Sequence, residues 1–85
     1  MSGDTRRPNR IVVVDDNRFT RELAREALES QARIECCESA EAALTTLARE
    51  PADLVVSDLT MPGLSGLELL ERVRREHPGT DFVLF

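Results

Sequence analysis

The sequence predicts an α/β fold in which helices pack against an open parallel sheet. Short apolar segments rich in β-branched residues alternate with longer segments whose apolar residues recur at helical spacing, in the order β-α-β-α-β-α-β. The connections between these segments are short, which is typical of parallel strands joined by right-handed crossovers. At 85 residues, the chain is long enough for one small domain.

The first strand is predicted over residues 10–14, a β-branched run that stops at two aspartates. Residues 1–9 before it are polar and contain a proline, so we expect a flexible N-terminal tail there. The first helix is predicted over residues 18–31, with Asp16 or Asn17 as its N-cap. Its apolar stripe, which we expect to face the sheet, consists of Phe19, Leu23, Ala24, Ala27 and Leu28.

The middle of the chain repeats this pattern. A weakly marked second strand is predicted over residues 34–38, and a second helix over residues 40–49 is capped by Ser39 and ended by Pro51. Residues 54–58 form another apolar, β-branched run and predict a buried third strand. The residues of the second helix that we expect to face inward are Ala43, Leu44 and Leu47.

The third helix and the fourth strand complete the alternation. Ser65 and Glu68 have the spacing of a capping box, which predicts the start of the helix, and His77 lies at its exposed end. The fourth strand is predicted over residues 81–85. The inward face of the third helix is predicted to consist of Leu67, Leu70 and Val73, with Leu69 at its edge.

Composition and charge exclude several classes of function. The chain has 16 acidic residues and 11 basic ones, all of them arginine, for a formal net charge of −5, which argues against direct nucleic-acid binding. No apolar stretch is long enough to span a bilayer, and the N-terminus lacks the apolar region of a secretory signal. Cys36 and Cys37 are adjacent and are interpreted as small buried residues rather than a disulfide or metal site, which suits the cytoplasm.

Three aspartates follow two of the predicted strands. Asp15 and Asp16 end the first strand and Asp58 ends the third. In open α/β sheets, ligands bind beyond the carboxyl ends of the strands, where these side chains would converge if the two strands are neighbours. Such a cluster is unfavourable unless a proton or a cation offsets the repulsion, and an all-oxygen site open to water suits Mg²⁺. The alternative is that the three acids serve as helix caps and turn residues.

Two motifs carry a resemblance to a known family. The run Val-Val-Val-Asp-Asp-Asn over residues 12–17, followed by Asp-Leu-Thr-Met-Pro-Gly-Leu-Ser-Gly over residues 58–66, resembles the receiver domain of two-component response regulators. The resemblance covers residues 10–85 and implies a flavodoxin-like, CheY-like open parallel sheet with strand order 2-1-3-4. It implies that Asp58 is the phosphoacceptor. The remaining implied roles are Mg²⁺ ligation by Asp15, Asp16 and Asp58 and by the backbone carbonyl of Thr60, and loop shaping by Met61, Pro62 and Gly66.

The sequence also departs from the pattern of that family. Its members have a fifth strand, a Ser or Thr directly after the fourth strand and a Lys at the end of the fifth, whereas this sequence stops at Phe85 and contains no lysine. We therefore expect a truncated receiver domain with slower phosphotransfer and impaired switching. We also expect residues 82–85 of its fourth strand to form an exposed apolar edge through which the chain associates with itself or is completed by another chain.

The functional prediction is a receiver for a sensor histidine kinase or a phosphotransfer protein. The chain would accept a phosphoryl group on Asp58 with Mg²⁺, as a phosphoacceptor and not as a turnover enzyme. The alternative is a non-catalytic pseudo-receiver or interaction module that associates through its fourth strand. A phosphatase with an aspartyl nucleophile is a third reading, disfavoured because 85 residues leave no room for a cap or a substrate pocket.

Overall fold

The computed structural model of the protein describes residues 9–85, and the predicted tail at residues 1–8 lies outside the described part. The seven elements alternate along the chain and are β1 (Asn9–Val14), α1 (Arg18–Leu28), β2 (Ala32–Cys37), α2 (Ala40–Arg49), β3 (Leu54–Ser57), α3 (Gly66–Glu76) and β4 (Asp81–Leu84). All strand pairs are parallel, and the order across the sheet is β2-β1-β3-β4. The predicted fold class and strand order are confirmed.

The main core lies between the sheet and the two helices α2 and α3. Alternate side chains of β1 and β3 enter it, because successive residues of a strand point to opposite faces of the sheet. Met61, from the loop after β3, packs into the same core. The other buried members of this cluster are Val12, Val14, Cys37, Ala40, Ala43, Leu47, Ala52, Val55, Leu69 and Val73.

The opposite face of the sheet is covered only in part. Helix α1 packs there against β2 and β1, and none of its residues is fully buried. Phe19 is 70% exposed and Leu23 is 53% exposed, and Ala27 is exposed as well, so the prediction that this stripe faces the sheet is wrong for these three residues. Ala24 and Leu28 are half-buried. The reason is geometric: the stripe is wider than the part of α1 that contacts β1 and β2, so the rest of it stays exposed to solvent.

The prediction for the inward face of α3 also needs correction. In α3 the buried residues are Gly66, Leu69 and Val73, whereas Leu67 is exposed and Leu70 is half-buried. Residues at spacings of three and seven share one helix face, and Leu67 lies about 100° around the helix from Gly66. The inward face is therefore rotated by one position from the prediction.

The boundary between α1 and β2 also differs from the prediction. Helix α1 ends at Leu28 rather than at residue 31, and β2 begins at Ala32 rather than at residue 34. The amide of Gln31 donates to the carbonyl of Leu28 and closes a turn there. Ala32 then pairs with Asn9 at the start of β1, so the longer strand is set by its neighbour in the sheet.

Arg10 ties β1, β2 and α2 together at the end of the sheet where the strands begin. Its guanidinium is buried and donates to the carboxylate of Glu35 at 2.7 Å and to the backbone carbonyls of Thr46 at 3.4 Å and Glu50 at 3.2 Å. Both carbonyls lie at the C-terminal end of α2, and that of Thr46 also accepts a hydrogen bond from the amide of Glu50 at 3.0 Å. The hydrogen bond from Arg10 lowers the pKa of Glu35 below its usual value.

Candidate functional site

The structure brings three acidic side chains together at the end of the sheet where the strands stop. Asp15 follows the last residue of β1 and Asp58 follows the last residue of β3, and these two strands are neighbours. One carboxylate oxygen from each of Asp15, Asp16 and Asp58 lies within 4.8 Å of the other two. We refer to these three residues as the acidic cluster.

Asp15 is the most firmly held member of the cluster. It is buried, and its backbone amide donates to the carbonyl of Cys37 on β2 at 3.1 Å. Its Oδ1 atom accepts a hydrogen bond from the amide of Asn17 at 2.8 Å. The Nη1 atom of Arg21 donates to its backbone carbonyl, also at 2.8 Å. The second carboxylate oxygen takes no part in these bonds.

Asp16 is exposed and does not cap the following helix. The N-cap of α1 is Asn17, whose Oδ1 atom accepts from the amides of Phe19 at 2.9 Å and Thr20 at 3.2 Å. The carboxylate of Asp16 is therefore not needed for capping, which weakens the interpretation of this acid as a cap.

The backbone around Asp58 is tightly packed. Its amide donates to the carbonyl of Val14 on β1 at 2.9 Å, and the buried hydroxyl of Ser57 donates to its carbonyl oxygen at 2.9 Å. A Cβ atom placed on Gly66 would lie 2.0 Å from that carbonyl oxygen, so only glycine fits there. The side chain of Asp58 is half-buried and accepts from the amide of Thr60 at 3.4 Å.

The loop from Asp58 to Gly66 is held at several points. Met61 is buried in the core, and Gly63 adopts a left-handed backbone with φ of 80°. Glu41, in the first turn of α2, reaches across and accepts a hydrogen bond from the amide of Leu64 at 3.3 Å through its Oε2 atom. Pro62 and Thr60 are exposed. The predicted capping box of Ser65 and Glu68 is present and starts α3.

The charge of the acidic cluster is not offset by ion pairs. Among residues 9–85, none of the ion pairs includes Asp15, Asp16 or Asp58. Three carboxylates at this separation repel one another unless a proton or a cation lies between them. The donor set is all oxygen, with one buried, one half-buried and one exposed carboxylate, which fits a hard divalent cation that keeps part of its water shell.

Comparison with known proteins identifies the family. The family model described as the response regulator receiver domain matches residues 11–85. The chain belongs to this family. Receiver domains are signalling modules of two-component systems, so the predicted signalling class is confirmed at that level.

Curated relatives show the same relationship. The receiver domain is 38% identical over 80 residues to a protein-glutamate methylesterase/protein-glutamine glutaminase of Rhodospirillum centenum, covering 91% of this chain and 20% of the relative. It is 41% identical over 70 residues to the response regulator protein FleR of Pseudomonas aeruginosa, covering 81% of this chain and 15% of the relative. The chain thus spans a fifth or less of the length of these relatives.

Solved structures confirm the CheY-like fold. The signal receiver domain of an HD domain-containing protein from Pseudomonas fluorescens superposes with a TM-score of 0.88 at 28% identity, covering 92% of this chain and 63% of that one. The chemotaxis protein CheY4 of Vibrio cholerae superposes with a TM-score of 0.86 at 22% identity, covering 92% of this chain and 68% of that one. At this lower identity the second likeness supports the fold alone.

Several residues around the site of the receiver domain were not anticipated from the sequence. Arg21, Glu41 and Ser57 contact the acidic cluster or its loop through backbone atoms. A bond to a carbonyl or an amide leaves no pattern of residue types, so sequence reasoning had no signal for them.

Within the described residues 9–85, no helix is long and apolar enough to cross a membrane.

Proposed function

We propose that this receiver domain accepts a phosphoryl group on Asp58 from the phosphohistidine of a sensor histidine kinase or a phosphotransfer protein, with Mg²⁺ bound at the acidic cluster. The observation that carries the proposal is the meeting of three carboxylates, each within 4.8 Å of the others, without an ion pair among residues 9–85 to offset them. Membership of the receiver family supports a role for this cluster in phosphoryl transfer.

In the proposed reaction, a carboxylate oxygen of Asp58 attacks the phosphorus atom of the donor. A new P–O bond forms while the P–N bond of the phosphohistidine breaks, and the imidazole nitrogen leaves with the electron pair and takes up a proton. Phosphoryl transfer of this kind depends mainly on positioning and on stabilising negative charge. A Mg²⁺ ion held by Asp15, Asp16 and Asp58 would supply part of that stabilisation by offsetting negative charge on the phosphoryl group.

The residues of this chain would share the work as follows. Asp16 would bind the cation directly, Asp15 would hold it largely through water, and the backbone carbonyl of Thr60 would complete the protein ligands. The packing of Gly66 against the Asp58 carbonyl supports a role for this glycine in shaping the loop. We assign the same role to Met61 and Pro62 on that loop.

The phosphoacceptor role can be tested with a small-molecule donor. The 85-residue chain is incubated with Mg²⁺ and acetyl phosphate, and its intact mass is measured. We expect the mass to rise by one phosphoryl group in the wild type and in Asp81→Asn, a control aspartate at the start of β4, but not in Asp58→Asn. Absence of the modification from a folded wild type, or its persistence in Asp58→Asn, would contradict the assignment.

A second candidate function is that of an interaction module, and the surface of β4 favours it. Val83 is 49% exposed and Phe85 is 53% exposed, and β4 pairs with β3 alone within the described part of the chain. An apolar edge strand is a template for pairing with another chain. We propose that the 85-residue chain self-associates through this edge.

We also propose a cytoplasmic location, because the adjacent Cys36 and Cys37 are a poor disulfide framework and suit a reducing compartment.

Sedimentation velocity tests the self-association. We expect the wild-type chain to form dimers at tens of micromolar and Val83→Arg to shift it toward the monomer, with Leu67→Arg, at an exposed leucine of α3, as the control. A wild-type chain that stays monomeric at this concentration refutes the edge as an interface. The phosphorylation assay tests the role of Asp58, and sedimentation tests β4 as an interface. Either proposal can therefore fail without the other.

A further inference from the structure

Arg21 is a cationic side chain held against the segment that carries two of the acids. It lies on α1, is half-buried, and its Nη1 atom donates to the backbone carbonyl of Asp15 at 2.8 Å. A hydrogen bond from a guanidinium is charge-assisted and roughly twice as strong as one between neutral groups. This contact is short and spans the turn between β1 and α1.

The contact acts on Asp16 as well as on Asp15. The carbonyl that Arg21 binds belongs to the peptide group that joins Asp15 to Asp16, and a peptide group is planar. Holding the direction of this carbonyl therefore restricts ψ of Asp15 and φ of Asp16, and with them the direction of the Asp16 side chain. The remainder of Asp15 is already fixed through its amide and its Oδ1 atom.

We propose that Arg21 is a positioning residue for the divalent cation site. Through the Asp15 carbonyl it holds the carboxylate of Asp16, which is exposed, in the direction that the cation requires. This inference rests on the proposed function, because it assumes that Mg²⁺ binds at the acidic cluster. Arg21 itself contacts neither the cation nor the phosphoryl group.

The positioning role and a simple charge effect predict opposite outcomes. Arg21 carries a positive charge, so on electrostatic grounds alone its removal would reduce the repulsion of Mg²⁺ and tighten binding. If Arg21 acts by positioning Asp16, its removal weakens binding in spite of the lost positive charge. The sign of the change in Mg²⁺ affinity therefore separates the two roles.

Arg25 provides a matched control on the same helix. It lies one turn after Arg21, and its Nη1 atom donates to the carbonyl of Ile34 on β2 at 3.2 Å. Arg25→Met removes the same charge and the same kind of contact from α1 to a strand carbonyl. It does so at a carbonyl that does not belong to the acidic cluster.

The test combines Mg²⁺ titration calorimetry with NMR relaxation of the metal-free protein. We expect Arg21→Met to weaken Mg²⁺ binding about tenfold, as is typical for partners that orient a metal ligand. The backbone amide of Asp16 should become more mobile in the same variant without metal. Arg25→Met should keep close to the wild-type affinity, and Arg21→Lys, which retains the charge and a donor, should bind with intermediate affinity.

Each other outcome overturns the inference. Unchanged or tighter Mg²⁺ binding in Arg21→Met, or an equal loss in Arg25→Met, shows that Arg21 does not position the site. If Arg21→Met does not fold, full wild-type affinity in folded Arg21→Gln, which cannot make the charge-assisted bond, has the same meaning. If the wild type binds no Mg²⁺, the proposed metal site fails and this inference fails with it, whereas failure of the inference alone leaves wild-type binding intact.

Discussion

Gly66 shows how a single residue can constrain the position of the proposed phosphoacceptor. The place of its missing side chain is occupied by the carbonyl oxygen of Asp58, which also accepts a hydrogen bond from Ser57. The end of β3 and the start of α3 are therefore in direct contact at Asp58 and Gly66. The smallness of this residue therefore matters for packing rather than for a special backbone conformation.

Replacing Gly66 with alanine tests this packing. Because the added Cβ atom would lie 2.0 Å from a backbone oxygen, the loop must shift, and we expect the free energy of unfolding to fall by about 2 kcal/mol. Urea denaturation followed by circular dichroism measures the change. Gly79→Ala is the control, since an added Cβ there meets nothing within 4 Å, and its effect should stay below about 0.5 kcal/mol.

At the residue scale, the acids of the site could be predicted and their supports could not. Asp15, Asp16 and Asp58 stand directly after apolar strands, so their convergence follows from the parallel sheet once β1 and β3 are neighbours. Arg21 and Glu41 act through main-chain atoms that every residue possesses. Their partners depend on the path of the backbone, which residue types alone do not reveal.

At the scale of the elements, the buried arginine at the start of β1 fixes the end of α2 to the sheet. Arg10 binds Glu35 of β2 and two carbonyls at the end of α2, so one side chain connects three elements. The same strand that ends in the acidic cluster thus begins in an ion-paired anchor.

The ion pair between Arg10 and Glu35 predicts how the free energy of unfolding depends on pH. The pKa of Glu35 is lowered from its usual value of 4.5 in the folded state, chiefly by the hydrogen bond from Arg10. Its stabilising contribution is therefore fully present above the unfolded pKa and is lost as the pH falls through the folded pKa. We expect Glu35→Gln to lower stability at pH 7 by about 1 kcal/mol, a value kept small because the side chain is 40% exposed.

The measurement is urea denaturation of both proteins at several pH values from neutral downward. The difference between wild type and Glu35→Gln should shrink as the pH drops below 4.5. Glu26→Gln, at an exposed glutamate of α1 that makes no ion pair in the described range, should match the wild type throughout. A difference that is constant with pH would argue against the ion pair as its cause.

The existence of every described element and the inward face of α2 could be predicted, but not the inward faces of α1 and α3. The period of apolar residues marks a helix, and short β-branched runs mark strands, because both patterns are local. The inward face of α3 depends on which leucine enters the core, and Leu69 rather than Leu67 does so. On α1, the exposure of Phe19 depends on which other elements pack against the helix, which is a tertiary property.

For the whole molecule, the acidic cluster, which makes no ion pair among residues 9–85, predicts that Mg²⁺ raises the stability of the folded chain. A cation that binds only the folded chain stabilises it by about 2.7 kcal/mol at a concentration of roughly 100 times its Kd. We therefore expect saturating Mg²⁺ to raise the Tm by about 10 °C or more for a domain of this size. Thermal unfolding by circular dichroism, with NaCl at matched ionic strength as the reference, measures the shift.

Substitution of Asp16 supplies the control for this effect. Asp16→Asn removes one of three clustered charges, so the metal-free protein should be as stable as the wild type or more stable. The same variant should lose most of the Mg²⁺-dependent rise in Tm. An equal rise in wild type and Asp16→Asn would place the cation elsewhere on this acidic chain.

The two ends of β1 have a consequence for how such a protein can change over evolutionary time. The anchor at Arg10 and the cluster at Asp15 are separated by most of a six-residue strand, roughly 17 Å, and share no hydrogen-bond partner. The effects of mutations on the free energy of unfolding at sites this far apart are usually additive. A lineage could therefore gain robustness at one end while it explores new chemistry at the other, and neither search would limit the other.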